Sequence, residues 1–206
     1  VISSCEAIPP RETVICAVNS FVGQIEQIPP MYSAIKVGGK KLYELARRGE
    51  SVERKSRRIS INSIDVVGED GDDLLLKVSC SKGTYIRTLC HDIGEKLDCG
   101  ACMSSLRRTA AGAFLIENAH SIEEIQAAAA NGDLQNFLLP LDTLFAQYPV
   151  LAVNENCTKR LKIGNIINFN APDGKYRVYS ESGEFLLLGE ISDGKLKTIK
   201  NFFEVN

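Results

Sequence analysis

The stretch VSCSKGTYIRTLCHDIGEKL, residues 78–97, decides the fold. Its start continues an alternation of Leu74, Leu76, Val78 and Cys80, which lines one face of a strand with apolar side chains. Gly83 breaks that pattern. The period then changes: Ile86, Leu89, Cys90, Ile93 and Leu97 fall on one stripe of a helix expected over roughly 85–97. A strand ends, a glycine turns and a helix begins. Lys82 and the first-turn amides there form a place where an anion can sit. Tyr85 and Arg87 lie in the first turn, off the apolar stripe. Two placements stay open for Arg87: into a cleft at the strand's end, or on the surface against an acid such as Asp92.

Upstream, Ile59 and Ile61 alternate, and Ile64 and Val66 alternate after one change of phase, the pattern of a strand carrying a bulge. The acidic turn Gly68–Asp73 joins it to the next strand as an antiparallel hairpin. Pro10 suits the start of a helix over 10–22, with Val14, Ile15, Val18, Phe21 and Val22 on one face and Gly23 as the stop. Residues 24–39 read as an extended loop punctuated by Pro29-Pro30 and Gly38-Gly39, and Lys40 to Arg48 as a short basic helix ending at Gly49. Downstream, LRRTAAGAF, residues 106–114, sets Leu106 before Arg107 and Arg108 and a turn. Ser121 and Glu124 make a capping box ahead of Ile122, Ile125 and an alanine run. From about residue 140 the texture changes. Short apolar runs at 166–169, 176–179, 185–191 and 196–203, with glycines between or within them, predict a small β-barrel. The domain boundary is expected near residue 146.

Composition and charge narrow the function classes. The chain has 206 residues and a net charge of −2, and no apolar run is long enough to span a membrane. Its opening, Val-Ile-Ser-Ser-Cys-Glu, has no initiator Met and no basic-then-apolar signal, so an N-terminal cut is the expectation. Seven cysteines argue against a disulfide scaffold. Cys99-x-x-Cys102 has zinc spacing, but a structural zinc needs four ligands and no second such pair exists; reduced thiols and no metal are expected. The charge is unevenly spread. Residues 36–58 carry nine Lys/Arg against three Glu, a balance of +6, while 59–81 carry one Lys against five acids, −4. A basic block in an acidic chain is the footprint of a phosphate-binding face, although a solvated helix and loop would look the same. Tyr32, Ser33 and Lys36 beside that block form an aromatic and cationic surface suited to RNA.

Taken together, S-K-G-T-Y-I-R-T and the upstream Y-S-A-x-K-x-x-G-x-x-L-Y-E-x-A-R-x-G resemble the TruB family of tRNA pseudouridine synthases, over residues 24–50 and 77–114. The C-terminal piece is similar, more weakly, to the PUA-type barrel attached to such enzymes. The resemblance implies an α+β fold: residues 1–145 would form part of a mixed or antiparallel sheet with flanking helices, and 146–206 a small PUA-like barrel. It implies a cytoplasmic enzyme that needs no cofactor and converts uridine-55 in the T-loop of tRNA to pseudouridine. The base is flipped out, its N-glycosidic bond is broken and the ring is rejoined through C5.

By the same resemblance, Arg87 pairs with the catalytic aspartate, Tyr85 and Leu106 line the uracil pocket, and Tyr32, Lys36 and Lys82 support the RNA around it. Lys40, Lys41, Arg47, Arg48, Arg107, Lys159 and Arg160 would meet the tRNA T-arm. The family's aspartate sits in a G-x-L-D-P-like motif upstream of these blocks, and none of the ten aspartates here has such a setting. The chain is therefore expected to carry half an active site, to be inactive alone, and to self-associate through an exposed sheet edge. The alternative is a non-catalytic RNA-binding or RNA-chaperone module.

Overall fold

The structure, a computed structural model, describes residues 9–71 and 73–203. Cys5 and the rest of the opening, and Asp72 of the hairpin turn, lie outside the described residues. The chain divides into two compact units, 1–116 and 117–206.

The first unit is built on helix α1 (Arg11–Asn19), strand β1 (Gly23–Gln27), the short strands β2 (Lys36–Val37) and β3 (Lys40–Lys41), helix α2 (Leu42–Arg47), strands β4 (Arg57–Asp70) and β5 (Asp73–Cys80), and helix α3 (Ile86–Lys96). β1, β4 and β5 form an antiparallel sheet in that order. Its core joins Val14 and Val18 of α1, Ile59, Ile61 and Ile64 of β4, and Leu89 and Ile93 of α3. Full burial of each such side chain is worth about 1.5–3 kcal/mol before entropy is counted. The expected phase change is a bulge: the β4–β5 register shifts between Ile61 and Ser63. That shift keeps both Ile61 and Ile64 on the core face, where each is buried.

Three expectations are corrected. The first helix stops at Asn19, short of residue 22. Ser20 Oγ donates to the Ala17 carbonyl at 2.6 Å, and the amides of Phe21 and Val22 fall back to three-residue turns. The loop expected over 24–39 begins as β1, paired from Gly23↔Ile61 to Gln27↔Arg57. The basic helix begins at Leu42, because Lys40 and Lys41 belong to a hairpin with Lys36 and Val37. Gly38 and Gly39 carry φ of +57° and +83° between those strands. A two-residue hairpin turn with both central φ positive matches the twist of its strands.

The C-terminal end of α3 runs beneath a close crossing. The Gly94 carbonyl accepts from the amides of Leu97, Cys99 and Gly100 at 3.2, 3.3 and 3.1 Å. A Cβ on Gly94 would lie 2.0 Å from the Ala101 nitrogen and 2.3 Å from the Gly100 carbonyl carbon. Both atoms are backbone, so the crossing segment would have to lift off the helix. Gly94→Ala is expected to cost about 3 kcal/mol or more. Urea denaturation measures it; an unchanged midpoint would show that the segment is not seated on α3.

The second unit carries helix α4 (Ile122–Asn131), whose capping box forms as expected: Glu124 N–H donates to Ser121 Oγ at 3.1 Å, and Ser121 N–H to Glu124 Oε2 at 2.7 Å. Strands β8 (Val150–Val153), β9 (Ile167–Asn168), β10 (Gly174–Ser180), β11 (Phe185–Ser192) and β12 (Lys195–Asn201) make one five-stranded sheet, ordered β8-β10-β11-β12-β9. Strands β6 (Ala110–Ala111) and β7 (Phe114–Leu115) pair as a small hairpin at the end of the first unit. Bulges at Val178/Tyr179 and Leu188/Gly189 bend the sheet around a core of Val153, Tyr176, Val178, Leu186, Ile191 and Leu196. Helix α5 (Glu155–Lys162) closes that core with Leu161. The whole is an α+β fold with a PUA-like curled sheet at its C-terminal end.

Segment 141–149 is tied to this sheet. Phe145 packs on Phe185 and Phe202, Tyr179 hydrogen-bonds to Asp142, and Arg177 Nε donates to the Tyr148 carbonyl at 3.0 Å. Burial first, then the Asp142 bond, pushes the Tyr179 hydroxyl pKa up. No described helix is long and apolar enough to cross a membrane.

Candidate active site

The SKGT segment makes the turn that the glycine promised. Ser81 N–H donates to the Ser60 carbonyl at 2.8 Å and Ser81 Oγ accepts the Ser60 amide at 3.0 Å, so the end of β5 stays clamped to β4. Thr84 Oγ1 donates back to the Ser81 carbonyl at 3.0 Å, and Gly83 takes the positive φ of +88° at the turn's third residue. The chain leaves this turn at Tyr85, the N-cap of α3, in extended conformation (φ −99°, ψ 103°). No side chain caps α3 and no acid stands in its first turn, so its leading amides are left to other acceptors.

Ile86, Leu89 and Ile93 face the core, which turns Arg87 outward. Arg87 is exposed and makes no ion pair or hydrogen bond among the described residues, so the surface pairing with Asp92 does not form. Burial raises the Asp92 pKa, with no part played by Arg87. Tyr85 is half-buried.

Gln27 escaped the sequence reading. It is 3% exposed, the last residue of β1, and its side-chain amide grips the Tyr85 backbone from both sides. Tyr85 N–H donates to Gln27 Oε1 at 2.8 Å, and Gln27 Nε2 donates to the Tyr85 carbonyl at 3.1 Å. A signal existed: Ile25 and Gln27 share a strand face, and the second is polar where alternation asks for an apolar residue.

Gln27 is followed directly by the loop that holds Tyr32. Arg54 Nη1 donates to the Pro29 carbonyl at 3.1 Å from beneath. The amides of Tyr43 and Leu42 donate to the Ser33 and Ile35 carbonyls at 3.1 and 2.8 Å, fixing the loop to α2. Tyr32 itself projects, 61% exposed. Ser33 Oγ and Arg54 Nε are buried here with no partner among the described residues.

The basic block runs from the tight hairpin through α2 to the start of β4. Lys36 and Lys41 are directly opposed across β2 and β3. Like charges in register repel, and an external anion would relieve that cost. Lys41 Nζ reaches Tyr43 Oη at 3.3 Å and Arg47 lies over the Tyr43 ring at 5.4 Å, while Lys36, Lys40 and Arg48 are exposed without ion pairs among the described residues. Lys82 is exposed on the SKGT turn. Leu106, 62% exposed, and Arg107 lie in the irregular segment before β6, and the unit's core does not include them. In the second unit, Lys159 and Arg160 are exposed on α5, where Lys159 pairs with Glu155 at 2.7 Å.

Among the described residues no cluster of three or more His, Cys, Asp or Glu is arranged to hold a metal ion. Cys99 donates to the Gly100 carbonyl at 3.5 Å, and burial, then the neighbouring Cys102, raises the Cys90 thiol pKa. That keeps Cys90 protonated and a poor ligand.

Three family models match in succession: the TruB family pseudouridylate synthase N-terminal domain over residues 2–86, the tRNA pseudouridylate synthase B C-terminal domain over 87–146, and the pseudouridine synthase II TruB C-terminal domain over 149–199. The chain is 39% identical to tRNA pseudouridine synthase B of Clostridium kluyveri over 93% of this chain and 67% of that one. It is 41% identical to the Pseudomonas fluorescens protein of the same name, over 95% and 66%. It thus spans about two thirds of the length of the curated relatives it matches. Among solved structures, the fold is similar to a chain of a Cbf5-Nop10-Gar1 complex, with a TM-score of 0.72, 22% identity, and 97% and 64% of the two chains covered. A chain from an H/ACA RNP bound to a substrate RNA containing 2'-deoxyuridine gives a TM-score of 0.70 at 20% identity.

Proposed function

Because the chain belongs to the TruB family of pseudouridylate synthases, we propose that it serves the conversion of uridine-55 in the tRNA T-loop to pseudouridine, in the cytoplasm and without a cofactor. The observation that carries this reading is Arg87, unpaired on the first turn of α3, beside Tyr85 whose backbone is held by a buried amide. A guanidinium so placed can take a carboxylate in two parallel hydrogen bonds. In this reading the aspartate supplies that carboxylate, Tyr85 and Leu106 enclose the flipped uracil, and Tyr32, Lys36 and Lys82 support the RNA around it. Lys40, Lys41, Arg47, Arg48 and Arg107, with Lys159 and Arg160 of the second unit, neutralise T-arm phosphates. Residues 1–145 would then belong to the catalytic domain and 146–206 to an RNA-binding barrel.

None of the aspartates among the described residues stands within ion-pair distance of Arg87. In this reading none of the chain's aspartates is the catalytic one, and the chain alone is expected not to turn over. Tritium release from tRNA labelled at uracil C5 tests both halves. The full-length protein should release tritium and the 206-residue chain should not; turnover by the chain alone would sink the role given to Arg87. β1 and β5 are the edge strands of the first sheet, and self-association of the chain is expected to run through them.

A further inference from the structure

We propose that Gln27 is a positioning residue for the uridine site, an inference that rests on the function proposed above. Its carboxamide sets the geometry between the Tyr32 loop and the Tyr85–Arg87 turn. Gln27 and Tyr85 are 58 residues apart in sequence, yet the pair is a complete one: the side-chain oxygen accepts the Tyr85 amide and the side-chain nitrogen donates to the Tyr85 carbonyl. This copies the pair of bonds that a neighbouring strand would make, at a point where β1 has ended and no strand continues. The Tyr85 carbonyl also accepts Leu89 N–H at 3.0 Å, so the first turn of α3 is fixed at its origin.

Two consequences follow from this placement. Tyr85 is held extended, and the direction of its ring and of the Arg87 side chain two residues on is inherited from that backbone. On its other side, Gln27 leads into Ile28-Pro29-Pro30, stiff residues that pass its position on to Tyr32. One buried amide therefore joins the segment that carries Tyr85 and Arg87 to the one that carries Tyr32. It is almost fully buried and acts only through others. Removing it leaves the Tyr85 N–H without its acceptor and frees the turn to shift. A displacement of about 1 Å at a reacting group can cost roughly 100-fold in rate.

The test uses the full-length protein, with kcat and KM for unmodified tRNA measured alongside thermal stability. Gln27→Leu keeps the volume and removes both bonds. It is expected to lower kcat by about 10- to 100-fold with KM within about twofold. Gln27→Glu gives a readout that a merely structural role would not move. A protonated carboxyl has one acceptor and one donor in the same plane as the amide, whereas the carboxylate cannot donate to the Tyr85 carbonyl. Burial raises the pKa of that introduced group. Relative to the parent, the Glu variant should be most active at low pH and lose kcat as pH rises, across a scan from about 5.5 to 9. The charged groups beside it in β1 and opposite it in β4, Glu26, Arg57 and Arg58, and Arg87 two residues beyond its partner Tyr85, are present in parent and variant alike, so a difference between the profiles reports the new carboxyl.

A lower melting temperature with kcat unchanged at 25 °C would overturn the proposal. So would a Glu profile parallel to the parent's, which decides the matter even if the Leu variant does not fold. A parent that forms no pseudouridine overturns the reading of the site and this inference with it. An active parent with unaffected variants overturns this inference alone.

Discussion

Arg87→Lys, in a protein that contains the catalytic aspartate, is expected to lower turnover by roughly 100-fold or more while tRNA affinity stays within about twofold. The charge is conserved, so loss of charge cannot be the cause. The loss comes from geometry. The guanidinium projects from the first turn of α3, outside the core stripe of Ile86, Leu89 and Ile93, with no acid among the described residues paired to it. Its planar fork can hold both oxygens of a carboxylate and so fix the plane in which that carboxylate meets the sugar. An ammonium holds one oxygen at a time and lets the plane swing. Stabilisation of charge that develops in the transition state is the kind of contribution that falls by two to three orders of magnitude when one donor is misplaced. Single-turnover pseudouridine formation and filter binding on the same preparations separate the two quantities. Full turnover by the Lys variant would make Arg87 an ordinary surface cation. Equal loss of binding and turnover would make it a phosphate contact.

The sequence made much of this arrangement readable, and the failures have a physical pattern. The β4–β5 hairpin, its bulge and α3 were legible because each buries one face, and burial writes its period into the residue order. The bulge needed only the spacing of Ile61 and Ile64. The capping box at Ser121 and Glu124 was legible because both halves are local. Strand β1 was missed because Gln24-Ile25-Glu26-Gln27 offers a single apolar residue, and the strand owes its form to pairing with β4. Helix α5 was missed too, although Asn154 announces it: its Oδ1 accepts Cys157 N–H at 2.9 Å. Three of its eight residues are cations, and its buried face is little more than Thr158 and Leu161, so apolar periodicity is faint. In the candidate site, Arg87 and Tyr85 were found through motif and position. Gln27 was not, because its importance lies in a contact made 58 residues away, which no local pattern encodes.

Reversing Lys40, Lys41, Arg47 and Arg48 to Glu is expected to weaken tRNA binding by about 100-fold or more at low salt, and more than the same change at Lys159, Arg160 and Lys162. The first set belongs to the hairpin and α2, in a block with a balance of +6 and with Lys36 and Lys41 opposed in register. Those charges repel one another until an anion lies across them. The second set is partly neutralised in place: Lys159 pairs with Glu155 at 2.7 Å, and Lys162 with Glu184 at 2.9 Å. The Lys159 pair is fully solvent-exposed and weak, but an RNA phosphate must still compete with a carboxylate that is already present. Residues 148–206 as a whole carry eight Lys/Arg against seven Asp/Glu, so the second unit adds little attraction at long range. Counterion release gives a second, independent readout. If the four residues contact four phosphates, their reversal should flatten the slope of log affinity against log salt by about 3 to 4. Electrophoretic mobility shifts at several salt concentrations measure both quantities. If the two sets of reversals cost the same and leave equal slopes, the hairpin block is a solvated surface and the phosphate contacts lie elsewhere on the protein.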